Sequence, residues 1–264
     1  MKKVISLVLV ALMALTLFTA CGEKETETLV MATNAAFPPY EFKEGDSFAG
    51  IDIEIAQLIA EKLGKELVIE DVEFGSIITG VQSGKYDMGI AGLTVTDERL
   101  TQVNFTTSYA TAVQVMIVKN DSAITSIDDC FNYDEEGNPV SLKIENIKIG
   151  VQENTTGDIY CSDEVTKWGF GESNVVRYKT GPDAVSALIK GDIDVVVIDN
   201  EPAKSFVAAN EGIKILETEY AYEDYAIAIA KENEQLLADV NKALAELTEA
   251  GEIQKIIDKY IPAE

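Results

Sequence analysis

AGLTVTDERLTQVNFTTSY, residues 91–109, is the stretch on which the fold turns. The apolar approach to Gly92 and Thr94 predicts a buried strand, and Thr96-Asp97-Glu98-Arg99 predicts a helix start directly after it. Thr96 has the chemistry of an N-cap, because its side-chain oxygen can accept from an unpaired first-turn N–H. Arg99 is then the third helical residue, where the positive end of the helix favours anions over cations. A guanidinium placed there makes sense if an anionic group such as a carboxylate comes to sit beside it. The alternative is a surface Arg paired with a neighbouring acid.

Working outward, residues 29–34 predict a first strand, 50–64 an amphipathic helix with Ile51, Ile55, Leu58, Ile59 and Leu63 on one face, and 67–72 a second strand. A turn at 74–76 leads into a helix over 77–83 and then a strand over 88–93. Strands alternating with helices through short connections predict parallel βαβ units. The second half repeats the device. Residues 147–151 form an apolar run, QENTTG at 152–157 a polar turn into a helix, and 182–190 a helix followed by the run 195–198, ending in Asp199. Helix, Gly-x-x-Asp, buried strand is common to SGKYDMGI (83–90) and KGDIDVVV (190–197), which supports two α/β domains of similar design. Extended segments at 109–118 and 225–230 lie between and after the halves, and the helices at 232–250 and 252–260 need a sheet to pack on. The chain is therefore expected to return to the first domain, crossing twice and making a hinge. The acidic segment 126–146 matches no twelve-residue calcium loop and reads as a solvated insertion.

Composition narrows the chemistry. The 264 residues contain no His, which removes Ser-His-Asp and Cys-His catalysis and His-ligated zinc. No metal or other cofactor is expected. The formal charge of −25 argues against nucleic acid and against electrostatic docking on anionic lipid. Lys2 and Lys3 precede an apolar run over 4–18 and the small residues before Cys21, which predicts a signal peptide over residues 1–20. The Cys after small residues looks like a bacterial lipobox, although Phe18 stands where Leu is usual; an uncleaved anchor helix is the alternative. Either way the chain lies outside the cytoplasmic membrane; in the lipobox reading it is held there through lipid on Cys21 and a polar tether over residues 21–28. Cys130 and Cys161 remain, and they are either a disulfide or two free thiols.

Four stretches carry a resemblance: TNAAFPPYEF (33–42), GIDIEIA (50–56), AGLTVTDER (91–99) and VIDNEP (197–202). Together, in this order, they resemble the polar amino-acid-binding proteins of bacterial ABC importers, extracellular solute-binding family 3, over nearly everything from Leu29 onward. The resemblance implies a two-lobed periplasmic-binding-protein fold of type II, two three-layer α/β domains joined by a two-strand hinge. Lobe 1 would comprise 29–109 plus 226–264 and lobe 2 would comprise 110–225, with hinge strands near 109–113 and 221–225. It further implies that Arg99 forks onto a ligand α-carboxylate with help from Thr94, the Gly92 backbone and Thr156. Asp199 would take the α-ammonium, and Phe37 and Phe74 would sandwich the side chain, with Asn34, Tyr40 and Gln152 near its far end. The segment before Thr156 departs from the family's more basic, Gly-rich pattern.

The physical reading points the same way. Arg99 and Asp199 both follow carboxyl ends of buried strands, where ligands of open α/β sheets sit, and one cation facing one anion matches a zwitterion. Asn34 and Gln152 suit a neutral amide side chain, whereas Glu41 and the acidic surface suit a cationic one. The expected protein is a monomer that takes a free polar amino acid, neutral amide or basic, to the transmembrane subunits of an ABC permease. A sensing domain acting through a membrane partner, or a small-acid dehydratase on the same fold, are the alternatives; an enzyme is disfavoured because general acid–base work lacks a His here.

Overall fold

Apolar runs such as Val195–Asp199 are buried on both faces, and such runs form parallel strands covered by helices on either side. The computed structural model describes residues 27–216 and 220–262; the expected leader, Cys21 and the tether up to residue 26 lie outside them. One sheet has the spatial order Glu66–Asp71, Thr28–Thr33, Met88–Gly89, Ala228–Ala230, Val103–Phe105. Its first three strands are parallel, and Ala228–Ala230 runs antiparallel to both neighbours. The other sheet has the order Val175–Tyr178, Ile149–Gln152, Val195–Asp199, Ala110–Lys119, Ile213–Ile215. Again the first three are parallel and the fourth, Ala110–Lys119, is antiparallel to its neighbours. In each order of five, the fourth strand, which comes from a chain crossing, is the one that runs against the others.

The crossings run side by side. Residues 110–114 pair antiparallel with Ala221–Tyr225, in register from Ala110 opposite Tyr225 to Gln114 opposite Ala221. Among the described residues eight α-helices flank the sheets: α1 (Ile51–Leu63), α2 (Gly75–Gln82), α3 (Asp97–Gln102), α4 (Thr156–Ser162), α5 (Gly181–Lys190), α6 (Asn200–Ala209), α7 (Glu234–Glu249) and α8 (Glu252–Tyr260). α1 buries Ile51, Ile55 and Ile59 and ends on Gly64 in the left-handed conformation, and α7 and α8 pack against it. Glu234–Glu249 also contacts the strand Ala228–Ala230 of the first sheet. One apolar cluster runs from Leu29, Ile59 and Ile229 through Tyr109 and Ala112 to Leu188 and Val196, so both sheets share a continuous core at the crossing.

Three expectations are corrected. The strand expected over 88–93 stops at Gly89, because Gly92 turns into positive φ (51°) and its N–H goes to a side chain instead of a ladder partner. Segment 126–146 is not merely solvated: Phe131–Tyr133 and Pro139–Leu142 pair as a hairpin, and Ile127, Cys130 and Phe131 are buried in a lobe 2 cluster with Phe170. Cys130 and Cys161 form no bridge. Both are free, buried thiols that pack as small apolar groups, with burial pushing Cys130 up to about 12, and the hairpin is closed by backbone bonds such as Lys143 N–H to the Cys130 carbonyl at 2.8 Å.

Gly50 starts α1 at φ 124°, and a Cβ there would stand 2.2 Å from the Tyr40 carbonyl oxygen. Gly50→Ala is expected to destabilise the protein by about 2 kcal/mol or more, the combined cost of a disallowed φ and a backbone clash. Urea unfolding read by circular dichroism checks this; an unchanged midpoint would mean that the loop at 38–40 moves freely.

Candidate functional site

The carboxyl ends of the parallel strands in both sheets converge on one cavity, lined by Asn34, Phe37, Glu41, Phe74, Ala91, Gly92, Thr94, Arg99, Gln114, Gln152, Thr155, Thr156, Val197, Ile198 and Asp199. All nine residues expected from the sequence, Asn34, Phe37, Phe74, Gly92, Thr94, Arg99, Gln152, Thr156 and Asp199, line it. Tyr40 does not; it is stacked behind Phe37 at 6.0 Å and sits edge-on to Tyr225 at 5.0 Å.

Arg99 is built as its sequence context predicts. Thr96 accepts the Arg99 N–H at 3.2 Å as N-cap of α3, and the side chain, 6 % exposed, reaches into the cavity. Nη1 donates to the Thr94 carbonyl at 2.8 Å and Nη2 to the Asn154 carbonyl of the facing lobe at 3.1 Å, while the guanidinium lies 5.3 Å over the Phe74 ring. Burial draws its pKa below the usual guanidinium value, with Glu223 pulling the other way; it stays a cation. Across the cavity, Asp199 ends the Val195–Asp199 strand and accepts from Gln114 Nε2 at 2.9 Å. Burial, and next the charge of Glu223, push its carboxyl well above the ordinary range.

The far end is closed by amides. Gln152 Nε2 donates to Asn34 Oδ1 across the lobes at 2.9 Å, and Asn34 Nδ2 donates to the Val72 carbonyl at 2.7 Å. The Gly92 N–H is committed to Asp52 Oδ2 at 2.8 Å, so its carbonyl is what it can offer a ligand. Outside, Lys179 bridges Glu73 of one lobe (3.0 Å) and Glu153 of the other (2.6 Å).

Sequence reasoning passed over Gln114, Asp52 and Glu223, and gave Glu41 only a secondary part. Each had a signal. Gln114 shares the alternate face of its strand with Ala112, Met116 and Val118, all buried, where a polar residue needs a reason. Asp52 lies between Ile51 and Ile53 at the start of α1 and is fully buried, its oxygens taken by Gly92 N–H and by Tyr109 O–H at 2.8 Å. Glu223 alternates with exposed Tyr222 in the crossing strand and accepts from Thr94 Oγ1 at 3.0 Å and Gln114 Nε2 at 3.1 Å.

A two-lobed α/β fold whose facing sheet ends enclose a buried guanidinium and a buried carboxyl group is the architecture of a solute-binding protein. The profile of bacterial extracellular solute-binding proteins, family 3, matches residues 29–263, and the chain belongs to that family, whose members bind solutes and are not enzymes. It is 30 % identical to the arginine-binding extracellular protein ArtP of Bacillus subtilis (strain 168) over 100 % of both chains. Among solved structures, the arginine-, lysine-, histidine-binding protein ArtJ from Geobacillus stearothermophilus matches with TM-score 0.79 at 27 % identity, over 90 % of this chain and 96 % of that one. An ancestral arginine-binding protein bound to glutamine matches with TM-score 0.77 at 35 % identity, over 89 % and 98 %. Among the described residues no helix is long and apolar enough to cross a membrane.

Removing one member of a buried charge pair strands the other, at a cost of about 2–5 kcal/mol, or thirtyfold upward in affinity. Arg99→Ala and Asp199→Ala are each expected to weaken ligand binding by at least about thirtyfold on that basis; wild-type affinity by calorimetry in either would remove that residue from the site. The carboxyls also set a pH dependence. Asp52 is raised by burial to about 7, and Glu41 and Asp199 are raised well above their ordinary values, so the folded state binds protons more tightly than the unfolded chain. Stability from these groups is full at low pH and is lost as pH rises through the folded pKa values. The ligand-free protein should therefore melt at a higher temperature near pH 5.5 than near pH 8, and the reverse order in a melting series would mean these carboxyls are ionised when buried.

Proposed function

We propose that this chain is an extracytoplasmic amino-acid-binding protein that closes its two lobes on a basic L-amino acid, arginine foremost, and presents it to an ABC permease. The observation that carries the reading is the buried pair of Arg99 and Asp199, on opposite lobes and facing one cavity. Arg99 forks onto the α-carboxylate, with Thr94 and Thr156 beside it, and Asp199 takes the α-ammonium. Phe37 and Phe74 flank the side chain. Asn34 and Gln152 meet its far end, and Gln152 keeps an amide oxygen available for a donor.

Charge supports the choice of a basic side chain. Arg99 is the one cation among the described lining residues, against Asp199 and Glu41 in the lining and Asp52 and Glu223 behind it. A neutral zwitterion adds no net charge to that excess of acid, whereas a basic amino acid brings one more cation. The arginine specificity in the names of the relatives points the same way.

Residues 29–109 with 226–264 form lobe 1 and 110–225 lobe 2 in this reading, and the paired crossings near 109–113 and 221–225 are the hinge that bends. The leader over 1–20 is removed, and lipid on Cys21 with the short tether holds the protein on the outer side of the membrane as a monomer.

A melting screen against all standard amino acids tests the reading. Ligand at a hundredfold excess over Kd adds about 2.7 kcal/mol, which for a chain of this size raises Tm by about 5–10 °C. Arginine is expected to give the largest rise, lysine and the amides smaller ones. If no amino acid moves the transition, the transport reading falls; if only neutral amides move it, the basic preference falls alone.

A further inference from the structure

The cavity holds two carboxyl pairs of the same design. In one, Asp199 faces the cavity and Glu223 lies behind it in the crossing strand; in the other, Glu41 faces the cavity and Asp52 lies behind it at the start of α1. All four are at least nine-tenths buried. The rear members are held by neutral donors: Glu223 by Thr94 Oγ1 and Gln114 Nε2, Asp52 by the Gly92 N–H and Tyr109 O–H. The front members are held less fully: Asp199 accepts at Oδ2 from Gln114 Nε2 at 2.9 Å, and one oxygen of each is left over. Asp199 Oδ1 and Glu41 Oε2 have no N–H or O–H donor, nor has Glu223 Oε1. Gln114 Nε2 donates to both Asp199 Oδ2 (2.9 Å) and Glu223 Oε2 (3.1 Å), which sets these two carboxyls side by side, and Glu41 neighbours Asp52 in the same way; buried carboxyls that close need a proton between them.

We propose that Asp199 and Glu41 each exchange the proton joining them to the carboxylate behind for a cation of the ligand, with Glu223 and Asp52 as positioning residues, so that a basic amino acid enters with proton release. Resting on the amino-acid reading above, this assigns two cation subsites. The α-ammonium replaces the proton at Asp199, and the side-chain cation replaces the proton at Glu41. In each exchange an O–H bond breaks, the proton passes to solvent, and ligand N–H groups donate to the freed carboxylate. No covalent bond forms.

The surroundings favour this allocation. Around Asp199 and Glu223 stand Tyr160, Tyr225 and the guanidinium of Arg99, besides Gln114 and Thr94. Around Glu41 and Asp52 stand Tyr40 and Tyr109, with Asp199 the further charge. Burial and the adjacent carboxyls raise all four tyrosines, so they remain neutral phenols near pH 7, and Arg99 is the only cation near either pair among the described residues. Burial pushes both front carboxyls well above their ordinary range, in keeping with a proton on each while the site is without a ligand cation.

Titration calorimetry of arginine and of glutamine, each in phosphate and in Tris at pH 7, reads the protons released from the difference in binding heat between buffers. Glutamine should release up to about one proton and arginine up to about two, with affinity rising as pH rises by up to about tenfold per unit for each proton. Glu41→Gln should bring arginine down to the glutamine value. In Glu223→Gln an amide N–H takes over the proton's place against Asp199, so release should fall by about one for both ligands, while Glu223→Asp restores it. Heats that do not depend on buffer, or equal release for arginine and glutamine, overturn the proposal even if the variants fail to fold, since the wild-type protein alone decides those outcomes. Failure of both ligands to bind at all would instead count against the amino-acid reading.

Discussion

One guanidinium and four carboxyl groups buried around a single cavity is the constraint on which the rest of the structure depends. An ionised carboxylate without a partner in a dry interior is expensive, so each must be hydrogen-bonded, paired or protonated. The donors that meet this need come from every part of the chain: Gly92 and Thr94 from the turn after a lobe 1 strand, Tyr109 from the start of one crossing, Gln114 from further along it. Tyr109 reaches Asp52 on α1, and Gln114 reaches both Asp199 and Glu223. The crossing strands are therefore more than a tether. They carry the donors that make the acid at the site tolerable.

The sheet order explains how residues so far apart in sequence meet. In both sheets the parallel strands end toward the cavity: Thr33 precedes Asn34, Ile149–Gln152 ends in Gln152, and Val195–Asp199 ends in Asp199. The antiparallel strand at the fourth position lets the chain pass to the second sheet along Ala110–Lys119 and come back along Ala221–Tyr225 beside it. Asp224 O accepts the Val95 N–H and Tyr225 bridges Thr94, so the return crossing is sewn to the same turn that presents Arg99. A movement of one lobe about the crossings thus leaves the Arg99 half intact and changes only what faces it.

What was legible in the sequence follows from the physics of each signal. Arg99 could be found because a cation in the first turn of a helix contradicts the helix dipole, and Asp199 because an acid closing an apolar strand contradicts burial; both are local conflicts. Helix bounds were legible to within a few residues, Gly64 and Gly191 marking two of the stops in left-handed conformation. Asp52 and Glu223 were not found, because their reason lies in donors forty or more positions away, and in isolation each reads as an ordinary surface acid. The strand at 88–93 was overrun because periodicity does not register that Gly92 turns its N–H toward α1. For Cys130 and Cys161, even number and location suggested a bridge, while the apolar core of lobe 2 supplies what a bridge would have supplied.

The contacts that cross the cavity without a ligand set how much work a ligand has to do. Gln152 to Asn34 and Arg99 to the Asn154 carbonyl are buried or half-buried hydrogen bonds, each with a net contribution of about 0.5–3 kcal/mol. Lys179 between Glu73 and Glu153 is exposed and adds little. Close packing adds to these: a Cβ on Gly75 of α2 would stand 2.6 Å from Asn154 Nδ2 of the opposite lobe, so a larger residue at 75 would make that side chain shift. Against these gains stand the cost of drying the cavity and the repulsion among its acids. A ligand that binds the closed form through both charges would shift this balance by its differential affinity for that form and by nothing else. In the basic-ligand reading, the same acid excess that opposes closure would give the ligand's cations their grip, so selectivity and closure would draw on one source.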